Sequence, residues 1–146
     1  MNQLMLGVIG TSRKQAERRL PIHPEHLQRL PEHIRRRLVF EKGYGAPFDV
    51  TDSELTALTG GVATRHELLA DLWTVVVAKP TEEDLREVRE GGILWGWVHC
   101  VQQPGITQAA IDPTKIRSAP TSKTNRYGSS LSGISIVTAT AATNPG

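Results

Sequence analysis

Trp73-Thr74-Val75-Val76-Val77-Ala78, followed at once by Lys79-Pro80, is the stretch on which the fold turns. Four consecutive β-branched residues in an uncharged run read as a buried strand, because such side chains pack well on a pleated surface. Lys79-Pro80 ends it, since proline cannot donate to a sheet ladder. Thr81 then caps a helix whose first turn, Glu82-Glu83-Asp84, sets negative charge at the positive end of the helix dipole. Leu85 and Val88 lie on one face of that helix, and Gly91-Gly92 stops it. Ile93 to Val98 is the next strand, followed by His99-Cys100 and a helical piece from Gly105 to Ile111.

Upstream the same alternation holds. Leu4 to Ile9 is an apolar strand running into the loop Gly10-Thr11-Ser12, and a charged loop follows with Arg13, Lys14, Glu17, Arg18 and Arg19. His23-Pro24 opens a helical stretch with Leu27 and Leu30 on one face, which Pro31 ends or kinks. Leu38 to Glu41 is a second strand, and Lys42-Gly43-Tyr44-Gly45 supplies a tight turn. Thr51 or Asp52 caps a short helix that Gly60-Gly61 stops; Gly61 to Ala63 is a stub of strand and His66 to Leu72 a brief helix. Strands alternating with helices predict a parallel sheet with helices on its faces, in which ligands sit at the carboxyl ends of strands. Arg19, Lys79 and His99 each follow such a strand.

Composition narrows the function classes. The single cysteine, Cys100, excludes a disulfide framework and a cysteine-rich metal knuckle, so a reducing, cytoplasmic setting is expected. No apolar run approaches the roughly 20 residues that span a bilayer, and Met1 to Leu6 does not read as a signal peptide, so neither membrane nor secretion is expected. The net charge of +2 arises after Asp112, where Lys115, Arg117, Lys123 and Arg126 meet no acidic residue. Before that point acidic residues outnumber basic ones, and no basic face interleaved with aromatics suggests a nucleic-acid partner. Past Asp112 the chain is rich in Ser, Thr, Ala and Gly; residues 113–146 read as a poorly ordered tail in which Ile134, Ile136 and Val137 can still pair as an edge strand.

Four landmarks stand in order between Leu6 and Asp112: Glu17-Arg18-Arg19-Leu20-Pro21-Ile22-His23-Pro24, Phe40-Glu41-Lys42-Gly43-Tyr44-Gly45, Val77-Ala78-Lys79-Pro80, and Arg89 through Gly91-Gly92-Ile93-Leu94-Trp95-Gly96-Trp97-Val98 to His99. Together they resemble the N-terminal domain of the family of alanine dehydrogenases, N5-(carboxyethyl)ornithine synthases and pyridine nucleotide transhydrogenases. The Arg-Arg-Leu-Pro segment and the Gly-Trp-Val-His ending look more like the carboxyethylornithine branch. The resemblance implies a Rossmann-like α/β substrate domain over residues 1–112. It also implies roles for three residues. Arg19 would grip the carboxylate of a 2-oxo acid, for which a guanidinium fork is bidentate. Lys79 would bind the carbonyl oxygen and the carboxylate, where an ammonium offsets charge building on oxygen. His99 would act as acid and base toward a carbonyl or imine, as a near-neutral pKa allows. Read without the resemblance, Arg19 is one charge of a solvated loop, Lys79 an ordinary strand exit and His99 a satisfied histidine beside an apolar run. The family pattern often carries an acidic residue between the lysine and the proline; here Pro80 follows Lys79 directly.

Other patterns are weaker. His23, His26 and His33 lack a convincing third metal ligand at suitable spacing, so no metal is expected. Cys100 and His99 are strand neighbours pointing to opposite faces and do not form a dyad. Gly7-Val8-Ile9-Gly10-Thr11-Ser12 lacks the Gly-x-Gly-x-x-Gly spacing of a dinucleotide fingerprint and no helix follows it. A full-length relative would use NAD or NADP; this chain by itself is expected to bind neither. The expected function is thus the 2-oxo acid domain of an NAD(P)-dependent oxidoreductase performing reductive amination of pyruvate-like acids, inactive alone. A non-enzymatic small-acid-binding module is the alternative, as is a subunit completed by a separate nucleotide-binding chain or by a homo-oligomer.

Overall fold

The computed structural model describes residues 4–97, together with the strand residues 130–131 and 134–138. Strand β1 (Leu6–Ile9) leads through the first loop into a 3-10 turn over Pro24–Arg29 and a single α turn, α1 (Glu32–Arg35). Strand β2 (Leu38–Glu41), helix α2 (Asp52–Leu58), strand β3 (Gly61–Ala63) and helix α3 (Arg65–Asp71) follow. Strand β4 (Thr74–Val77), helix α4 (Glu82–Glu87) and strand β5 (Ile93–Gly96) continue the alternation. Two further strands, β6 (Ser130–Leu131) and β7 (Ile134–Thr138), complete the sheet.

The strand order is β3-β2-β1-β4-β5-β7-β6. Every pairing is parallel except β6 with β7, which is antiparallel. The chain therefore winds one way from β1 to β3, crosses back, and winds the other way from β4. The reversal lies between β1 and β4, where Val8 pairs with Val76 and Ile9 with Val77. Such a switch point leaves a crevice at the carboxyl ends of the two strands.

Side-chain alternation splits the core into two layers. Val8, Leu38 and Phe40 face the side covered by Leu27 of the 3-10 turn and Leu55 of α2. Ile9, Val75, Val77 and Leu94 face the opposite side, against Leu68 and Leu69 of α3 and Leu85 of α4. Helices thus cover both faces, as the alternating pattern predicts. The helix starts are set locally: Thr51 and Thr64 each form a reciprocal capping box, with Glu54 and Glu67 respectively.

The departures from the sequence reading are local. The stretch opened by His23-Pro24 is a 3-10 turn rather than an α-helix, because Pro31 interrupts it within two turns. Helix α3 begins at Arg65, capped by Thr64. Gly61–Ala63 is a true strand, paired with β2. In the stretch past Asp112, β7 sits inside the sheet, beside β5, rather than on its edge. His99 and the helical piece expected from Gly105 to Ile111 lie outside the described residues.

Candidate functional site

The first loop, between β1 and the 3-10 turn, hangs over the switch point, and two residues from the end of β2 hold it. The carboxylate of Glu41, the last residue of β2, is buried and accepts from the amides of Gly10 (2.9 Å) and Thr11 (2.8 Å) and from the Thr11 hydroxyl (2.7 Å). Three residues on, the hydroxyl of buried Tyr44 donates to the carbonyl of Ile22 (2.6 Å) and accepts from the Ile22 amide (3.0 Å). Burial pushes the Tyr44 phenol up to about 12, so it keeps its proton and its role as donor. The Phe-Glu-Lys-Gly-Tyr-Gly landmark is therefore a clamp on both ends of the loop that carries Arg19.

A second network ties the loop to the other layer. Asp84 is fully buried at the start of α4 and receives Arg65 Nη2 at 2.6 Å, Arg13 Nη1 at 3.1 Å and the Thr81 amide at 2.9 Å. Arg65 also donates to the carbonyl (2.6 Å) and hydroxyl (2.8 Å) of Thr11. Arg13 pairs further with Glu87.

Arg19 projects from this framework with its guanidinium about half exposed. Its Nε (2.8 Å) and Nη2 (2.7 Å) form a two-point fork onto the carboxylate of Glu17, and its own amide adds a third bond at 3.0 Å. Hydrogen bonds from the Arg19 side chain and amide, with a smaller contribution from the positive charges of Arg19 and Lys79, hold the Glu17 carboxyl down to about 2. On its other side the Arg19 guanidinium stands 5.3 Å from the centre of the Trp97 ring. Lys79, half-buried, leaves β4 in the same crevice, where its carbonyl accepts from the Ser12 hydroxyl at 3.2 Å. The structure thus brings Arg19 and Lys79 to one end of the sheet, around Glu17.

Beside them lies a cavity of about 320 Å³, walled by Pro21 and Ile22 of the loop, by Val76 and Ala78 of β4 and its exit, and by Trp95 and Trp97. It is mostly apolar and runs along the sheet face shared by Leu6 and Val76.

The sequence is similar to an N(5)-(carboxyethyl)ornithine synthase from Clostridium botulinum, 32% identical over 88 residues, which covers 55% of this chain and 27% of the synthase. Its fold matches the crystal structure of a transhydrogenase from Sinorhizobium meliloti with a TM-score of 0.59 and 16% identity, over 73% of this chain and 32% of that one. The first is a likeness of sequence over part of the chain, the second a likeness of fold. No family model matches the sequence. In both comparisons this chain spans about a third or less of its relative.

A dinucleotide pyrophosphate would find no free amides at Gly10 and Thr11 in the β1 loop. The Gly10 and Thr11 amides, which would have to face a pyrophosphate, already bind the Glu41 carboxylate, and a second anion there would meet its charge. Nor do the described residues hold a cluster of three or more potential metal ligands. His23 caps the 3-10 turn by accepting from the Glu25 amide, and its ring packs edge-on against Phe48. No helix among the described residues is long and apolar enough to cross a membrane.

Glu17, Glu41, Tyr44 and Trp97 shape the site although sequence reasoning gave them no role in it. For Glu41 a signal existed: a carboxylate closing an otherwise apolar strand needs a partner.

Proposed function

We propose that this chain is the substrate domain of an NAD(P)-dependent oxidoreductase and that it binds a 2-oxo acid at the β1–β4 switch point. The two-point fork of Arg19 on a carboxylate, that of Glu17, beside the strand exit that carries Lys79, supports the reading. In the arriving ligand, the carboxylate takes the Arg19 fork that Glu17 now fills, and Trp97 fixes the plane of the guanidinium. The Lys79 ammonium faces the ligand's carbonyl oxygen, where it favours the form bearing more negative charge and so makes the carbon more open to an amine. His99 follows Trp97, the residue after β5, by two positions and is assigned the proton transfers of carbinolamine formation and breakdown. Reductive amination of a pyruvate-like acid is the overall reaction, in a cytoplasmic setting. The nucleotide is held by a further domain or a separate chain, since the β1 loop amides are engaged.

Calorimetric titration with pyruvate tests this reading, using Arg19→Ala as control. Heat from the parent chain that vanishes or falls at least tenfold in affinity in Arg19→Ala is expected; equal heats from both proteins overturn it.

A further inference from the structure

The cavity beside Arg19 is far larger than a methyl group requires. Pyruvate, with one methyl beyond its carbonyl, would leave most of the 320 Å³ unfilled. The lining is apolar along its length: Ile22 and Pro21 form one wall, Val76 the floor, and Trp95 and Trp97 the far wall. Among the described residues, Arg19 adjoins the cavity through Trp97, and Lys79 directly follows the lining residue Ala78. A site with a cationic head and an apolar body selects an anion that carries a hydrocarbon chain.

Its shape is also fixed. Tyr44 holds Ile22 by two hydrogen bonds, so that wall cannot fold inward. The end of β5 is fixed against β4, because a Cβ on Gly96 would lie 2.1 Å from the Val77 carbonyl oxygen and the Trp97 amide bonds to the Ala78 carbonyl at 3.0 Å. A pre-formed apolar slot gains affinity from each methylene that enters it without a matching cost for ordering the walls.

We infer that the preferred ligand is a 2-oxo acid with an unbranched or branched aliphatic chain of three to five carbons beyond the carbonyl, the chain lying over Val76 between Ile22 and Trp95. This rests on the proposed 2-oxo acid site and narrows its substrate class.

The test is a calorimetric series of pyruvate, 2-oxobutanoate, 2-oxopentanoate and 2-oxohexanoate on the whole chain. Affinity is expected to rise about three- to fourfold per methylene, reaching on the order of fifty-fold for 2-oxohexanoate over pyruvate. Val76→Phe, which fills the floor, is expected to flatten the series. Trp95→Ala, a change at an already exposed side chain, is expected to reduce its slope and serves if Val76→Phe does not fold. A flat series with measurable pyruvate binding overturns the chain-length inference alone. A rising series that neither variant alters overturns the assignment of the chain to this cavity. No binding by any acid overturns the 2-oxo acid site itself.

Discussion

The Tyr44 hydroxyl both donates to and accepts from the backbone of Ile22, twenty-two residues earlier in the chain. One side chain thereby closes the loop that carries Arg19 and satisfies two partly buried backbone groups. Tyr44→Phe keeps the ring against Phe40 but strands both groups. A loss of about 1–3 kcal/mol is expected. Urea unfolding gives the size, and faster hydrogen exchange at the Ile22 amide gives the place. An unchanged Ile22 amide would rule out the clamp.

Glu17 occupies the Arg19 fork, so it competes with any carboxylate that binds there. Glu17→Gln should tighten binding of a 2-oxo acid roughly two- to fivefold, the modest gain fitting a pair whose arginine is about half exposed to screening solvent. The pH dependence has a definite sign. The Glu17 carboxyl lies at about 2 in the fold against an ordinary 4.5, so its contribution to stability is complete above 4.5 and fades as pH falls toward 2. Thermal unfolding followed from pH 6 to pH 2 should therefore show a steeper acid decline in the parent than in Glu17→Gln. Superimposable acid limbs would mean that the pair does not persist in solution.

Asp84 is buried with four donors on it, whereas the side chain of its partner Arg13 is 35% exposed. Asp84→Asn removes the charge opposite Arg65 and should cost about 3–5 kcal/mol. Arg13→Ala should cost less than about 1 kcal/mol, because solvent screens that arm of the network. Denaturant midpoints of the two variants separate the cases, and equal losses would contradict the assigned burial.

Gly96 has no room for a side chain. A Cβ there would sit 2.1 Å from the Val77 carbonyl oxygen and 3.0 Å from Pro80 Cδ, so Gly96→Ala must part β4 from β5. A cost of about 1–3 kcal/mol is expected, with loss of the adjoining slot. Gly43→Ala provides the contrast: at φ +79° it faces open space, so only backbone strain of about 1–2 kcal/mol is expected and the slot should remain intact.

The sequence made the architecture legible because the strands declare themselves. Thr74 to Val77 is β-branched throughout, Leu38–Glu41 has the bounds expected of it, and Thr51 and Thr81 stand at the starts of their helices. The placement of Arg19 and Lys79 at strand ends also followed from the alternation. What remained hidden depends on distance along the chain. Nothing near Glu41 says that its carboxylate reaches back 30 residues to Thr11, and nothing near Asp84 says that Arg65 and Arg13 will meet over it. The acidic turn at Glu82-Glu83-Asp84 reads as three equivalent dipole partners, yet the fold buries one of them. The two tryptophans of β5 and its exit are likewise ambiguous in sequence: a Trp-Gly-Trp pattern suits a core strand, and only the sheet order reveals that their face bounds a cavity.

The order of the strands has a consequence for how the chain is made. Of the described strands, Leu6–Ile9 is made before its sheet partners and ends up in the interior of the sheet with β2 on one edge and β4 on the other. Its second neighbour is not available until Val77 has emerged, some seventy residues later, so β1 waits with one edge of unpaired N–H and C=O groups while the intervening chain is translated. Closing that edge requires a long-range pairing, which is slow relative to local turns. The nascent chain thus passes through a stage in which Gly7, Val8 and Ile9 can add to a foreign strand. The pairing of β4 is then the commitment step: it hides that edge, completes the crevice and brings Lys79 to the loop of Arg19 in a single event.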